Sequence, residues 1–284
     1  MVASLRYEEY TVAWIAVLPI EVFAARQVLD KEHKGQFPWY PGDSYIYRAG
    51  EINGHKIVIA SLPAGENPGV GSAAALVTQV KIRFPRIRFA LLVGIAAGLP
   101  DFPPGSQRRS DTGDVAEFRD IRLGDVLVAQ PHKASTGIVH YDFGTDTPDE
   151  FRLIGRSAET STRAKLAKKL NDVQKFKNIN FRCPGPTEDQ LYASDDSNAP
   201  LVQREARDGA QRLRVCLIGL EMEAAGAMHA FPTAVIRGVC DYGDNRKNKQ
   251  WQPYAAAAAA VYAWGMLCTF GTFGEGVGDG AQGQ

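Results

Sequence analysis

The chain is short of most features that would tie it to a metal, a membrane or a nucleic acid. Only four cysteines occur in 284 residues, Cys183, Cys216, Cys240 and Cys268. None forms a CxxC pair and none stands beside a histidine cluster, so the familiar zinc-ligand spacings are missing. Three of the four lie in apolar segments, and reduced core thiols are expected rather than disulfides. No apolar run approaches the roughly 20 residues of a membrane span. Lys and Arg total 32 and Asp and Glu total 32, for a formal charge of +0, which leaves no electrostatic footprint for nucleic acid or an anionic membrane. The first residues lack the basic region and long apolar core of a secretory signal, so a cytoplasmic location is expected. There are no internal repeats. No metal and no cofactor is expected, and the partner expected is a small molecule.

What is present points to an enzyme-sized α/β domain. A hydrophobic content of 45% can supply a sizeable core. Strand-like and helix-like segments alternate, which predicts a single three-layer domain with a central mixed, largely parallel sheet flanked by helices. Val12 to Leu18 reads as a strand, and Pro19 then opens a helix to about Leu29. Tyr45 to Ile52 and His55 to Ser61 read as a hairpin about Asn53-Gly54. Gly71 to Phe84 reads as a helix and Phe89 to Ala96 as a buried strand. Asp125 to Gln130 and Gly137 to Phe143 continue the sheet. Glu150 to Asn171 is mostly helical in pattern, Arg214 to Leu220 is a strand, Glu221 to Phe231 a helix, Ala234 to Val239 a strand and Pro253 to Cys268 the closing helix. Asp101 to Arg119 reads as a long inserted loop, and Val173 to Pro200 as a polar segment suited to a lid. The domain is expected over residues 1–270, with a Gly-rich disordered tail at 271–284.

Two acids carry the strongest chemical signal. The run Gly219-Leu-Glu-Met-Glu-Ala-Ala225 precedes the strand Val235-Ile-Arg-Gly-Val-Cys-Asp241, so Glu223 and Asp241 stand at opposite ends of one helix-strand unit. Open α/β sheets bind ligands at the carboxyl ends of their strands. With Ile15-Ala-Val-Leu-Pro-Ile-Glu21, Leu92-Val-Gly-Ile-Ala-Ala-Gly-Leu99 and Arg122-Leu-Gly-Asp-Val-Leu-Val128, these segments follow the order found in the nucleoside phosphorylase superfamily. Over residues 11–270 the chain resembles its nucleosidase branch, typified by methylthioadenosine/S-adenosylhomocysteine nucleosidase and its fungal-type relatives.

The resemblance implies cleavage of the N-glycosidic bond of a purine ribonucleoside. Such a reaction builds positive charge on the ribose and negative charge on the base, so it needs a proton donor at the base and polar anchors on the sugar. Asp241 is the candidate acid for purine N7. Its plainer reading is a turn or helix-capping aspartate. Glu223 is the candidate ribose ligand, accepting from two hydroxyls and favouring an oxocarbenium-like sugar, with Met222 packed on the sugar face. Glu221 either reaches the ribose or starts the helix, where acids suit the macrodipole. Glu21 matches the family glutamate that activates the attacking water. Its plainer reading is a favourable first-turn charge.

Gly94 to Gly98 is expected to make a tight turn whose backbone N–H groups, including those of Ala96, Ala97 and Gly98, lie beside the ligand. In the phosphorylases that it resembles, this turn carries an Arg and a Ser or Thr that hold phosphate. Leu92 and Ile95 stand at those positions here and neither binds an anion, which favours water as nucleophile. Arg26, Arg119 or Arg237 remain as compensating cations. Tyr192 is the candidate base stacker, with Leu191 in support. His140-Tyr141-Asp142-Phe143-Gly144 resembles the segment that enters a neighbouring subunit's site, implying a homodimer in which His140 or Tyr141 closes the sugar's 5′ end. The expected function is a purine nucleosidase, with a phosphate-dependent phosphorylase and a non-catalytic nucleoside-sensing module as the alternatives.

Overall fold

A computed structural model describes residues 4–100, 121–129, 145–146, 151–152, 163–174, 179–192, 198–202 and 219–270. Ten strands run through these residues: β1 Val12–Ile15, β2 Lys31–Glu32, β3 Ile46–Ile52, β4 His55–Ser61, β5 Phe89–Gly98, β6 Val126–Val128, β7 Thr145–Asp146, β8 Phe151–Arg152, β9 Gly219–Leu220 and β10 Thr233–Asp241. The helices are α1 Pro19–Val28, α2 Val70–Arg83, α3 Arg163–Gln174, α4 Ala224–Ala230 and α5 Trp251–Thr269. Eight strands form one sheet in the order β2-β3-β4-β1-β5-β10-β6, with β9 pairing β5 off this path. The centre is parallel, β4-β1-β5-β10, and both margins are antiparallel. This is the mixed, helix-flanked sheet that the alternating pattern predicts.

Side-chain alternation along the central strands supplies two cores. Val12 and Trp14 of β1, with Leu91 and Val93 of β5, pack beneath α1, α3 and α5. Ala13 and Ile15, with Ala90 and Leu92, pack beneath α2 and α4. A period of two along each strand sends neighbours to opposite faces, and the result is a three-layer sandwich. Ala255 to Ala260 in α5 are all buried. Their small size lets the helix lie so close to β10 that a Cβ at Gly238 would run into the Ala255 carbonyl.

The Asn53-Gly54 hairpin forms as expected. Both residues take positive φ, 47° and 78°, the combination a two-residue type I′ turn requires. Two expectations fail, and a third, a mostly helical Glu150 to Asn171, holds from Arg163 onward but not at its start. Gly94 to Gly98 is no turn, because β5 runs on to Gly98. The helix after Gly219-Leu220 begins at Ala224, so Glu221 to Glu223 precede it and Glu223 is its N-cap residue. Phe151–Arg152 is extended and pairs with Thr145–Asp146, and the helix in that region is Arg163–Gln174. The segments Asp101 to Arg119, Gly137 to Phe143 and 271–284 lie outside the described residues.

Candidate active site

β1 stops at Ile15, whose partner on β5 is Leu92, while β5 continues for six more residues. The carboxylate of Glu21 fills the gap this leaves. Glu21 sits at the third position of α1 and is 4% exposed. Its Oε1 accepts the N–H of Ile95 at 2.9 Å. Its Oε2 accepts the N–H groups of Val17 at 2.8 Å and Leu18 at 2.9 Å. One side chain therefore caps α1 and takes over a hydrogen bond that a longer β1 would have made to β5. Burial pushes the Glu21 carboxyl above the usual carboxylate range, against the pull of Arg237 and the three N–H donors.

Arg237 is the centre of this half of the site. It lies on β10 opposite Gly94 of β5 and is 2% exposed. Its Nη2 donates to Glu221 Oε2 and to Glu223 Oε2, both at 2.8 Å. Its Nη1 stands 3.7 Å from Glu21 Oε1. Burial alone would lower the guanidinium's pKa, but the three carboxylates outweigh it and hold it above its ordinary value. Burial also raises the Glu223 carboxyl, with Arg237 opposing and Glu21 and Glu221 adding to the rise. Arg237 Nη1 and Nε have no hydrogen-bond acceptor among the described residues.

Glu221 has a second task. Its carboxylate accepts the N–H of Glu223 at 2.9 Å and that of Ala224 at 2.8 Å, satisfying donors that open the short helix α4. Met222, between the two acids, is 59% exposed. Sequence reading named Arg237 only as a possible anion ligand and missed that it joins Glu21, Glu221 and Glu223. The available signal was an arginine inside the apolar run Ala234 to Cys240, since a buried guanidinium requires carboxylate partners.

Asp241 belongs to a different environment. The β10–β5 register shifts between Val239 and Asp241, so Cys240 is an extra residue and Asp241 leaves the alternation set by Arg237 and Val239. Bulges of this kind re-aim side chains. Asp241 Oδ1 accepts the N–H of Gly243 at 2.9 Å and lies 3.8 Å from Lys247 Nζ. The Cys240 thiol donates to Oδ2 at 3.3 Å, and burial, with Asp241 beside it, pushes that thiol's pKa up. The turn reading of Asp241 is thus part of its geometry. Asp241 also lines a small cleft of ≈ 100 Å³ with Tyr192, Gln190, Glu188, Asp244 and Arg246.

The cleft has two walls, which are tied together. Trp251 Nε1 donates to the Glu188 carbonyl at 3.0 Å, and the Tyr242 hydroxyl donates to Asp189. The Arg246 guanidinium lies over the Tyr192 ring, 3.9 Å from its centroid, so one face of the expected stacker is covered by a cation. Leu191 gives its carbonyl to the Val202 N–H at 2.8 Å. Ala96 and Ala97 are buried, Ala96 opposite Val239 and Ala97 opposite Asp241 on β10; Ala97 and Gly98 also pair with β9. They therefore belong to strand ladders and do not form the exposed backbone cradle expected of a turn. His140 and Tyr141 lie outside the described residues. Arg26 pairs with Glu32 at 2.7 Å, and Arg119 is outside the described residues.

Fold and site together define a three-layer α/β domain with a buried carboxylate–guanidinium cluster and an open polar cleft at neighbouring strand ends. No protein-family profile matches the chain. It is 31% identical to a nucleotide-binding leucine-rich repeat (NLR)-like protein of Hyaloscypha variabilis over 93% of its own length, and spans 30% of the length of that curated relative. Among solved structures it is similar to 5′-methylthioadenosine/S-adenosylhomocysteine nucleosidase from Neisseria meningitidis in complex with methylthio-immucillin-A (16% identity, 92% of this chain and 99% of that one, TM-score 0.49). It is also similar to futalosine hydrolase of Helicobacter pylori (17% identity, 91% and 97%, TM-score 0.46). At these identities the likeness assigns no role to any residue. Among the described residues no helix is long and apolar enough to cross a membrane.

Proposed function

We propose that the chain belongs to the nucleosidase branch of the nucleoside phosphorylase superfamily and hydrolyses the N-glycosidic bond of purine ribonucleosides. The observation that carries this reading is the engagement of Arg237 by Glu21, Glu221 and Glu223. A buried group of three acids around one guanidinium favours developing positive charge on a ribosyl ring. It disfavours inorganic phosphate, because the cation that phosphate would need is already bound by carboxylates and Leu92 and Ile95 offer no anion ligand.

In this reading Asp241, at the cleft, gives its proton to N7 of the base as the C1′–N9 bond breaks and its electron pair passes to the base. Glu223 accepts from the ribose hydroxyls. A water at C1′ gives its proton to Glu21, and the products are the free purine and ribose. A carboxylate whose pKa is raised by burial is a stronger base than an ordinary one, which suits Glu21. Arg237 Nη1, 3.7 Å from Glu21 Oε1 and without a described acceptor, supplies an N–H to orient that water. Tyr192 and Arg246 form the wall against which the base lies. The homodimer and the roles of His140 and Tyr141 at the 5′ end rest on the motif resemblance.

The test is incubation of the purified protein with adenosine, guanosine, inosine or methylthioadenosine, with and without phosphate. The expected product is free base with free pentose in the absence of phosphate. Strict phosphate dependence with ribose 1-phosphate as product overturns the hydrolase reading. The similarity to part of a longer NLR-like protein favours a second reading, in which the domain senses a nucleoside without cleaving it. A nucleoside that binds tightly and stays intact over long incubation supports it.

A further inference from the structure

Gly94 is opposite Arg237 in the β5–β10 register and lies two residues beyond the last β1–β5 pair, Ile15 and Leu92. On its β1 side the next backbone donor, Ile95 N–H, bonds the Glu21 carboxylate at 2.9 Å. On its β10 side lies the Arg237 side chain. A Cβ built at Gly94 would overlap the Glu21 carboxylate and Arg237 Nη1. Neither group is a free end that can swing aside. Glu21 is held by three backbone N–H groups and Arg237 by Glu221 and Glu223.

We propose that Gly94 is a positioning residue for Glu21: the missing side chain at this site lets the carboxylate stand in for β1 beside β5 while touching Arg237. The inference rests on the reading of Glu21 as the base that activates water. Any side chain at 94 separates Glu21 from Ile95 N–H or from Arg237. Gly238 provides the contrast, since the nearest atoms to a Cβ there are backbone atoms of α5 at Ala255. Its glycine serves helix packing and, although Gly238 pairs with Ile95 in the sheet, its Cβ position points away from the Glu21 carboxylate toward α5.

A stability cycle tests the geometry independently of activity. Urea unfolding is measured for the parent, Gly94→Ala, Glu21→Ala and the double variant. Neighbours that share a contact couple, whereas independent sites add. Gly94→Ala is expected to lower the folding equilibrium constant roughly tenfold or more in the parent, and by only about threefold where Glu21 is already alanine, the remaining loss coming from the overlap with Arg237 Nη1. Equal losses in both backgrounds overturn the proposal. If Gly94→Ala fails to fold, recovery of a folded protein on adding Glu21→Ala supports it, and failure of both overturns it. Gly238→Ala combined with Glu21→Ala should be additive, and coupling as strong as at Gly94 overturns the distinction.

The second arm is kinetic and uses whichever purine nucleoside the parent hydrolyses. Folded Gly94→Ala should lose kcat at least tenfold with KM changed by less than about threefold, and the acid limb of its kcat profile should move to higher pH as Glu21 loses stabilising donors. Unchanged kcat and profile overturn the positioning role. An inactive parent overturns the nucleosidase reading alone, because the stability cycle still reports on the geometry.

Discussion

Arg237 and Asp241 stand four residues apart on β10, yet their surroundings are opposites. Arg237 is buried, held by Glu221 and Glu223, and its partners Glu21 and Glu221 are in turn held by backbone N–H groups. Asp241 lies past a bulge at the lip of a cleft whose walls are loops. The first arrangement is preorganised: few of its atoms can move without leaving a charge buried and unpaired. The second is more open, with the Asp241 oxygens engaged by a turn N–H and a thiol and the walls joined by side-chain hydrogen bonds and a cation–π contact. A glycosidic cleavage needs both. The sugar and water require fixed geometry, whereas the base has to enter and leave.

The comparison predicts unequal responses to mutation. The largest should come from Arg237→Met, which leaves three acids buried without their cation. Removing one partner of a buried ion cluster costs about 3 to 5 kcal/mol, and urea denaturation should register a loss of that order together with loss of turnover. A change below about 1 kcal/mol would mean that the cluster is not the rigid half. Asp241→Asn should do the reverse. Asn keeps an acceptor for Gly243 N–H, so stability should stay within about 1 kcal/mol of the parent, while kcat for the nucleoside falls about 10²- to 10⁴-fold with KM little changed. Near-normal turnover would remove Asp241 as the acid.

Smaller effects belong to the cleft wall. Tyr192→Ala should weaken nucleoside binding by about 1 kcal/mol, the lower end of base-stacking contributions, read as a rise in KM at constant kcat. An unchanged KM would show that Arg246 keeps the base from that ring. The smallest effect should be Glu223→Gln on stability. Burial raises the Glu223 pKa above the ordinary 4.5, so the folded state holds a proton that the unfolded state releases. Stability from this group is fully present below about pH 4.5 and is lost as pH rises through the raised value. Glu223→Gln removes that loss. Its melting temperature relative to the parent should therefore be more favourable at pH 8 than at pH 4.5, and a flat difference would contradict the shift.

The legible parts of the sequence were those written in local chemistry. Pro19 at a helix start, Asn53-Gly54 between alternating segments and the apolar runs of β1, β5 and β10 each announce their structure within a few residues. The Glu-Met-Glu run and Asp241 were legible as a candidate site because a strand's carboxyl end is where ligands bind. What stayed hidden depends on distant pairing. Gly94 to Gly98 looks like a turn, but β10 and β9 hydrogen-bond it into a strand. Ala224 begins its helix where it does because Glu221 caps it from outside. Arg237 hid in an apolar strand, with one of its partners more than 200 residues away on α1. The bulge at Cys240 left no sequence mark at all.

The most direct measurement follows the oxygen. The parent protein is incubated with a purine nucleoside and phosphate in water enriched in ¹⁸O, and the pentose product is analysed by mass spectrometry before exchange at C1′ is complete. Hydrolysis at a site whose guanidinium is already engaged by carboxylates predicts free ribose carrying one ¹⁸O. Ribose 1-phosphate without ¹⁸O at C1′ would contradict it.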